Sequence, residues 1–273
     1  MTFLLALLPV IAVVALGFFL ASREIPPAEG WRAIERLCYV LLFPCLIVRV
    51  LASAPLDGLP WRIAAALVAA QLVMAAIGHA ARFWPGLARP TIGSIIQSNV
   101  RWNTFVALSL AGVLFGQEGL ALTAVAAAAM IPTANIIAVL GFSRYGVAQV
   151  RRHPVLEVLQ NPLVIASVIG GALNVGDIAL PEVVDRVLGL LSEAALGLGL
   201  LVAGAGLDLA ALKRAGTLTL VWSLVRLLVM PAVALGAALA LDVTGVSLAV
   251  IAIAAATPTA TNGYILARQL GGD

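Results

Sequence analysis

Nine apolar runs, at 3–21, 32–53, 61–81, 91–115, 119–142, 155–175, 184–206, 215–241 and 245–267, take up most of this chain. Each is long enough to cross about 30 Å of hydrocarbon at about 1.5 Å of rise per residue. Lipid offers no hydrogen-bond partner to an exposed backbone, so runs of this kind cross as helices. The expected fold class is an all-α polytopic membrane protein. Composition agrees, with 62% hydrophobic and 11% charged residues, against about 25% charged in an average soluble domain. A soluble globule, a disordered chain and a fibrous repeat are excluded. Breakers fill the turns, at Ile25-Pro26-Pro27, Ala54-Pro55-Leu56-Asp57-Gly58, Trp84-Pro85-Gly86 and Asn174-Val175-Gly176-Asp177. The first run lacks a basic lead-in and a small-x-small cleavage site, so it reads as a retained helix rather than a signal peptide.

The net charge of +3 does not point to nucleic acid, because the basic residues sit mostly between apolar runs. Eleven of them (Arg23, Arg32, Arg36, Arg82, Arg89, Arg144, Arg151, Arg152, Lys213, Arg214 and Arg268) follow odd-numbered runs, against Arg49, Arg62 and Arg186 after even-numbered ones. The positive-inside rule then predicts an external N-terminus and a cytoplasmic loop at 143–154, in the cell inner membrane. Cys38 and Cys45 lie seven residues apart in one run, about 10 Å along a helix. That is beyond disulfide reach, and both read as small apolar fillers.

An internal parallel links the two halves. Leu8-Pro9-Val10 through Gly17 resembles Asn161-Pro162-Leu163 through Gly170, and Asn103-Thr104-Phe105-Val106 resembles Asn262-Gly263-Tyr264-Ile265. The unit would be five helices, an odd number, so a second copy inserts inverted, as in secondary transporters with a midplane site. The expected organisation is a first repeat at 1–142, a connecting loop at 143–154 and a second repeat at 155–273. On that spacing the second copy ends near residue 301, which leaves nine helices here and the tenth missing.

Polar groups inside apolar helices are costly and mark candidate sites. In helix 4 they are Gln97-Ser98-Asn99-Val100-Arg101-Trp102-Asn103-Thr104. The Arg101 fork suits a carboxylate, with Asn99 and Asn103 beside it; the competing reading is a structural cation bonding the carbonyls of a broken helix. In helix 9 they are Thr257-Pro258-Thr259-Ala260-Thr261-Asn262-Gly263. Pro258 removes a helical donor, and Thr259, Thr261 and Asn262 can serve the groups it frees. Arg226, near the middle of helix 8, reads as a second anion contact, as the partner of Glu193, or as a snorkelling cation. Glu193 is the deepest carboxylate, and a proton-coupled carrier needs such a group. Asn161 before Pro162 and Asn135 in Pro132-Thr133-Ala134-Asn135 read as packing or site-lining positions, the second mainly as a kink. Gly112 and Gly116 have the spacing of a helix-packing pair. His79 and His153 lack the neighbours of a metal site, so no metal or resident cofactor is expected. Few ionisable groups lie at mid-membrane and no phosphate-binding loop is seen, so neither an enzyme nor an ATP-driven pump is expected.

The stretches Leu41-Leu42-Phe43-Pro44-Cys45-Leu46, Arg101-Trp102-Asn103-Thr104-Phe105, Asn161-Pro162-Leu163-Val164-Ile165-Ala166, Arg226-Leu227-Leu228-Val229-Met230-Pro231, Thr257 to Tyr264 and Gly271-Gly272-Asp273 together resemble the auxin efflux carrier family. Its bacterial branch includes malonate-transporter-like proteins, and it is related to plant auxin exporters. The resemblance implies two inverted five-helix repeats, similar to bile-acid symporters, with broken helices 4 and 9 crossing at the substrate site. It maps that site onto Asn99, Arg101, Asn103, Pro258, Thr259, Thr261 and Asn262. It implies alternating-access transport of a small organic anion, such as malonate, another dicarboxylate or an auxin-like acid, with Na+ or H+ as candidate coupling ion and a homodimer as candidate assembly. On the family pattern a tenth helix is expected after Gly-Gly-Asp, beyond the end of the sequence given, whether by truncation or by its real absence. The alternative class is a passive channel on the same scaffold.

Overall fold

The computed structural model describes residues 2–54, 60–147, 154–260, Gly263, Ala267 and 270–273. Among these every regular element is helical and none is a strand. The helices are α1 (Thr2–Ser22), α2 (Ala28–Leu37), α3 (Phe43–Ser53), α4 (Pro60–Ala80), α5 (Arg89–Val100), α6 (Thr104–Tyr145), α7 (Pro154–Leu159), α8 (Pro162–Val175), α9 (Glu182–Ala205), α10 (Leu209–Arg214), α11 (Thr217–Leu224), α12 (Met230–Ala240) and α13 (Gly245–Ala256). Stretches at Trp61–Phe83, Arg89–Tyr145, Glu182–Ala211 and Thr217–Ala240 are long and apolar enough to cross a membrane, with shorter apolar helices at Leu7–Ser22, Pro162–Val175 and Gly245–Ala256.

Several expected spans are interrupted. The run 91–115 breaks after α5 at Arg101, Trp102 and Asn103. The run 155–175 is split between α7 and α8 at Gln160 and Asn161. Two π-helical turns, Cys38–Leu42 and Val225–Val229, join α2 to α3 and α11 to α12. Each is followed, after one intervening residue, by a proline, Pro44 or Pro231. A proline ring clashes with the carbonyl one turn earlier, and a widened turn gives that carbonyl room.

The chain forms two compact units, each drawn from both halves of the sequence. The first holds residues 1–57, 104–127 and 162–213, and the second 58–103, 128–161 and 214–273. In the first unit α1 lies against α9 at small residues: a Cβ on Gly17 would fall into the Leu201 backbone, and one on Gly204 into that of Val14. Gly170 of α8 meets Val48 and Leu51 of α3 in the same way. Without a hydrophobic drive between helices in lipid, such close backbone approach supplies the packing. Phe43 stacks on Phe105 with ring centroids 4.4 Å apart. Arg49 pairs with Asp185 through both oxygens, at 2.8 and 3.2 Å, tying α3 to α9.

In the second unit α4 packs against α5, α12 and α13. Gln71 of α4, fully buried, donates from Nε2 to the carbonyls of Val100 (2.9 Å) and Met130 (3.1 Å). Phe142 and Val139 of α6 cluster with Ala267 and Leu270. The turn at Gly271–Asp273 is fixed by Val147 N donating to Gly271 O, Asp273 N to Ser94 Oγ and Thr91 Oγ1 to Asp273 Oδ2.

Candidate functional site

The breaks after α5 and α13 both lie in the second unit. Arg101 takes an extended conformation (φ −78°, ψ 150°), which ends α5, and α6 starts at Thr104. Thr257 does the same at the end of α13 (φ −64°, ψ 141°), and residues 257–260 are not helical. Residues before a proline are steered to extended geometry, so Pro258 accounts for the second break. Ending a helix inside lipid strands its last carbonyls, and here several of them find donors. Ser98 O accepts from Thr259 Oγ1 at 2.7 Å, so one break caps the other. Gln97 Nε2 donates to Gly263 O at 2.7 Å. Thr257 Oγ1 donates to Ala254 O at 3.0 Å.

Arg226 joins the two breaks. It stands on the π turn Val225–Val229, is 3% exposed, and donates from Nη1 to Ala255 O (2.6 Å) and from Nε and Nη2 to Arg101 O (3.3 and 3.2 Å). A buried guanidinium is tolerated only when its donors are used, and here carbonyls use them. The sequence expectation paired Arg226 with Glu193 or with an anion; Glu193 is exposed on α9 in the first unit, and the bonds of Arg226 go to backbone. The carbonyl-bonding role considered for Arg101 thus falls to Arg226.

Arg101 is half-buried and donates from Nη2 to Asn135 Oδ1 at 2.9 Å. This gives Asn135 a place at the site. Pro132 leaves α6 helical through Asn135, so that stretch is no interruption. Asn99 is fully buried on α5, and neither Nδ2 nor Oδ1 finds a hydrogen-bond partner. Asn103 is half-buried at the entry to α6. Pro258 is exposed and Thr259 half-buried. Thr261 and Asn262 lie outside the described residues, but a Cβ on neighbouring Gly263 would stand 3.5 Å from Arg101 Cδ. Asn161 is buried just before α8. Gly116, expected to pack a helix pair, is instead a turn (φ 58°, ψ −140°) that divides α6. Gly112 alone makes a close contact, with Leu120.

Sequence reasoning missed a cavity of about 560 Å³ beside the breaks. Six hydroxyl residues line it, Thr91, Ser94, Ser98, Thr219, Ser223 and Thr259, together with Trp222, Arg226 and Pro258. The signal was present as spacing: Thr91, Ser94 and Ser98 recur at helical intervals on α5, as do Thr219, Ser223 and Arg226 around α11.

Residues 147–273 match the family described as "Membrane transport protein", the domain of the auxin efflux carriers. This is a family of transporters and not of enzymes, and its match agrees with the resemblance carried by the motifs. No curated protein matches the chain.

Proposed function

We propose that the chain is a secondary carrier of a small organic anion, a carboxylate such as malonate, another dicarboxylate or an auxin-like acid, working by alternating access. The observation that carries this reading is the pair of interrupted helices hydrogen-bonded to each other, with a half-buried guanidinium, Arg101, at the interruption. The amino end of α6 opens there and carries partial positive charge. Asn99 and Asn103 flank Arg101 and offer amide groups to the carboxylate. Pro258 and Thr259 stand on the opposite side, and the resemblance assigns Thr261 and Asn262 to the same site. Arg226 holds the breaks together. The hydroxyl-lined cavity gives an anion a polar path to them.

Transport into proteoliposomes tests this. Arg101→Ala abolishes saturable carboxylate uptake while yield and unfolding temperature stay close to those of the parent; unchanged uptake overturns the assignment. Counterflow separates the carrier from the alternative channel, because a carrier accelerates when labelled substrate meets unlabelled substrate across the membrane and a channel does not. Imposed Na+ and H+ gradients, each alone, identify the coupling ion. The arginine asymmetry supports an inner-membrane placement with the N-terminus outside, and the resemblance supports a homodimer.

A further inference from the structure

Away from the breaks, the second unit gathers basic groups around one tyrosine. Tyr145, at the end of α6, is 7% exposed. Its hydroxyl lies 3.0 Å from Nδ1 of His79, at the end of α4. Nε2 of His79 lies 2.8 Å from Nη1 of Arg82. A guanidinium can only donate, so Nε2 accepts; Nδ1 then carries the proton and donates to the tyrosine. The guanidinium carbons of Arg89 and Arg144 lie 5.9 and 5.8 Å from the centre of the same ring, and Arg89 Nη2 donates to Arg144 O at 2.6 Å. Arg82, Arg89 and Arg144 are exposed. Among the described residues their partners are a histidine, a carbonyl and aromatic faces, none of them an anion.

Two like charges, Arg89 of α5 and Arg144 of α6, flank one ring, and a third, Arg82 just after α4, reaches the histidine bonded to that ring; such charges repel each other. Setting topology requires basic residues on one side of the membrane, but not their convergence. An anion among them would turn the repulsion into attraction. Its surroundings specify its kind. Phe83, next to Arg82, is 73% exposed; Leu140, one turn before Arg144, is 59% exposed; and Leu72, two turns before His79, is 55% exposed. Residues spaced by four or seven share a helix face, so apolar strips lead from the basic cluster along two helices. An exposed aromatic beside arginines is the arrangement found at headgroup depth.

We propose that Tyr145, His79, Arg82, Arg89 and Arg144 bind the phosphate of an anionic phospholipid, with its acyl chains along the Leu72 and Leu140 faces. Arginine forks recognise phosphate in bidentate fashion, and basic pockets between spans hold anionic headgroups. The site is separate from the carboxylate site at the breaks and does not depend on it.

Native mass spectrometry of the purified chain, in detergent doped with phosphatidylglycerol or phosphatidylcholine, provides the test. The parent retains phosphatidylglycerol in preference to phosphatidylcholine. Replacing Arg82, Arg89 and Arg144 together by Gln lowers that retention about tenfold. A control with Arg23→Gln, Arg32→Gln and Arg36→Gln removes equal charge and keeps the retention. Equal retention of the two lipids by the parent overturns the proposal, as does an equal loss in the control. Displacement of the lipid by an equal concentration of glycerol 3-phosphate also overturns it, because the occupant is then a soluble anion. If the triple variant fails to fold, the single Arg82→Gln variant and the parent's lipid preference decide.

Discussion

Among the described residues Arg226 donates to backbone carbonyls alone, whereas Arg101 donates to the side chain of Asn135, and the two should respond differently to substitution. Lysine keeps the charge of Arg226 but not the planar fork that reaches both breaks. Leaving a buried carbonyl unpaired costs about 1–3 kcal/mol. Arg226→Lys is therefore expected to lower unfolding stability in detergent by that amount and to impair transport as a consequence. Arg101→Lys should shift stability by less than about 1 kcal/mol, because Arg101 is half-exposed, yet remove bidentate carboxylate binding and with it most uptake. Equal stability losses in the two variants would refute this division of roles. Both arginines stood out in the sequence, as ionised groups in apolar runs do. Their roles did not, since which guanidinium meets the stranded carbonyls is set by a π turn that hydropathy does not register.

At the scale of elements, the breaks were the most legible feature. A polar octet from Gln97 to Thr104 and a proline among threonines at 257–259 cannot continue as unbroken apolar helix, and they do not. The division of α6 was legible as well, because the apolar runs stop at 115 and resume at 119, yet Gly116 was assigned a packing role. Its backbone (φ 58°, ψ −140°) lies where only glycine is comfortable. Gly116→Ala should cost about 1–3 kcal/mol, measured by thermal unfolding in detergent, with no Cβ clash to share the blame because the space around it is open. Pro231 provides a second element-level test. Removing proline from a helix usually stabilises it, by about 3 kcal/mol. Here the π turn that aims Arg226 ends two residues before Pro231, whose ring crowds the Leu227 carbonyl inside it, so Pro231→Ala lets the turn tighten and swings Arg226 off its carbonyls. The expected outcome is reduced thermal stability and reduced transport; a more stable variant with full transport would separate the proline from the aim of Arg226.

On the whole-molecule scale, sequence halves and compact units are different divisions. The halves were proposed from paired motifs, and each of them carries a broken helix, after Val100 and after Ala256. The pairing of Pro9 with Pro162 does not recur locally, since Pro9 lies inside α1 and Pro162 opens α8. The interleaved units could not be read from order along the chain, because they depend on which helix faces meet. Their consequence is that Asn99, Arg101, Asn103, Asn135, Arg226, Pro258 and Thr259 all fall in the second unit. A movement that exposes a bound anion to the two sides in turn can then carry both breaks together without parting them. Cross-linking should reveal this. In a background with Cys38→Ala and Cys45→Ala, Ser98→Cys and Thr259→Cys place thiols on the two breaks, where Thr259 Oγ1 meets Ser98 O at 2.7 Å. Joining them with a short bis-thiol reagent should leave counterflow at half or more of the uncross-linked rate. Abolished counterflow, restored on cleaving the link, would mean that the breaks separate during each cycle and that the second unit does not move as one body.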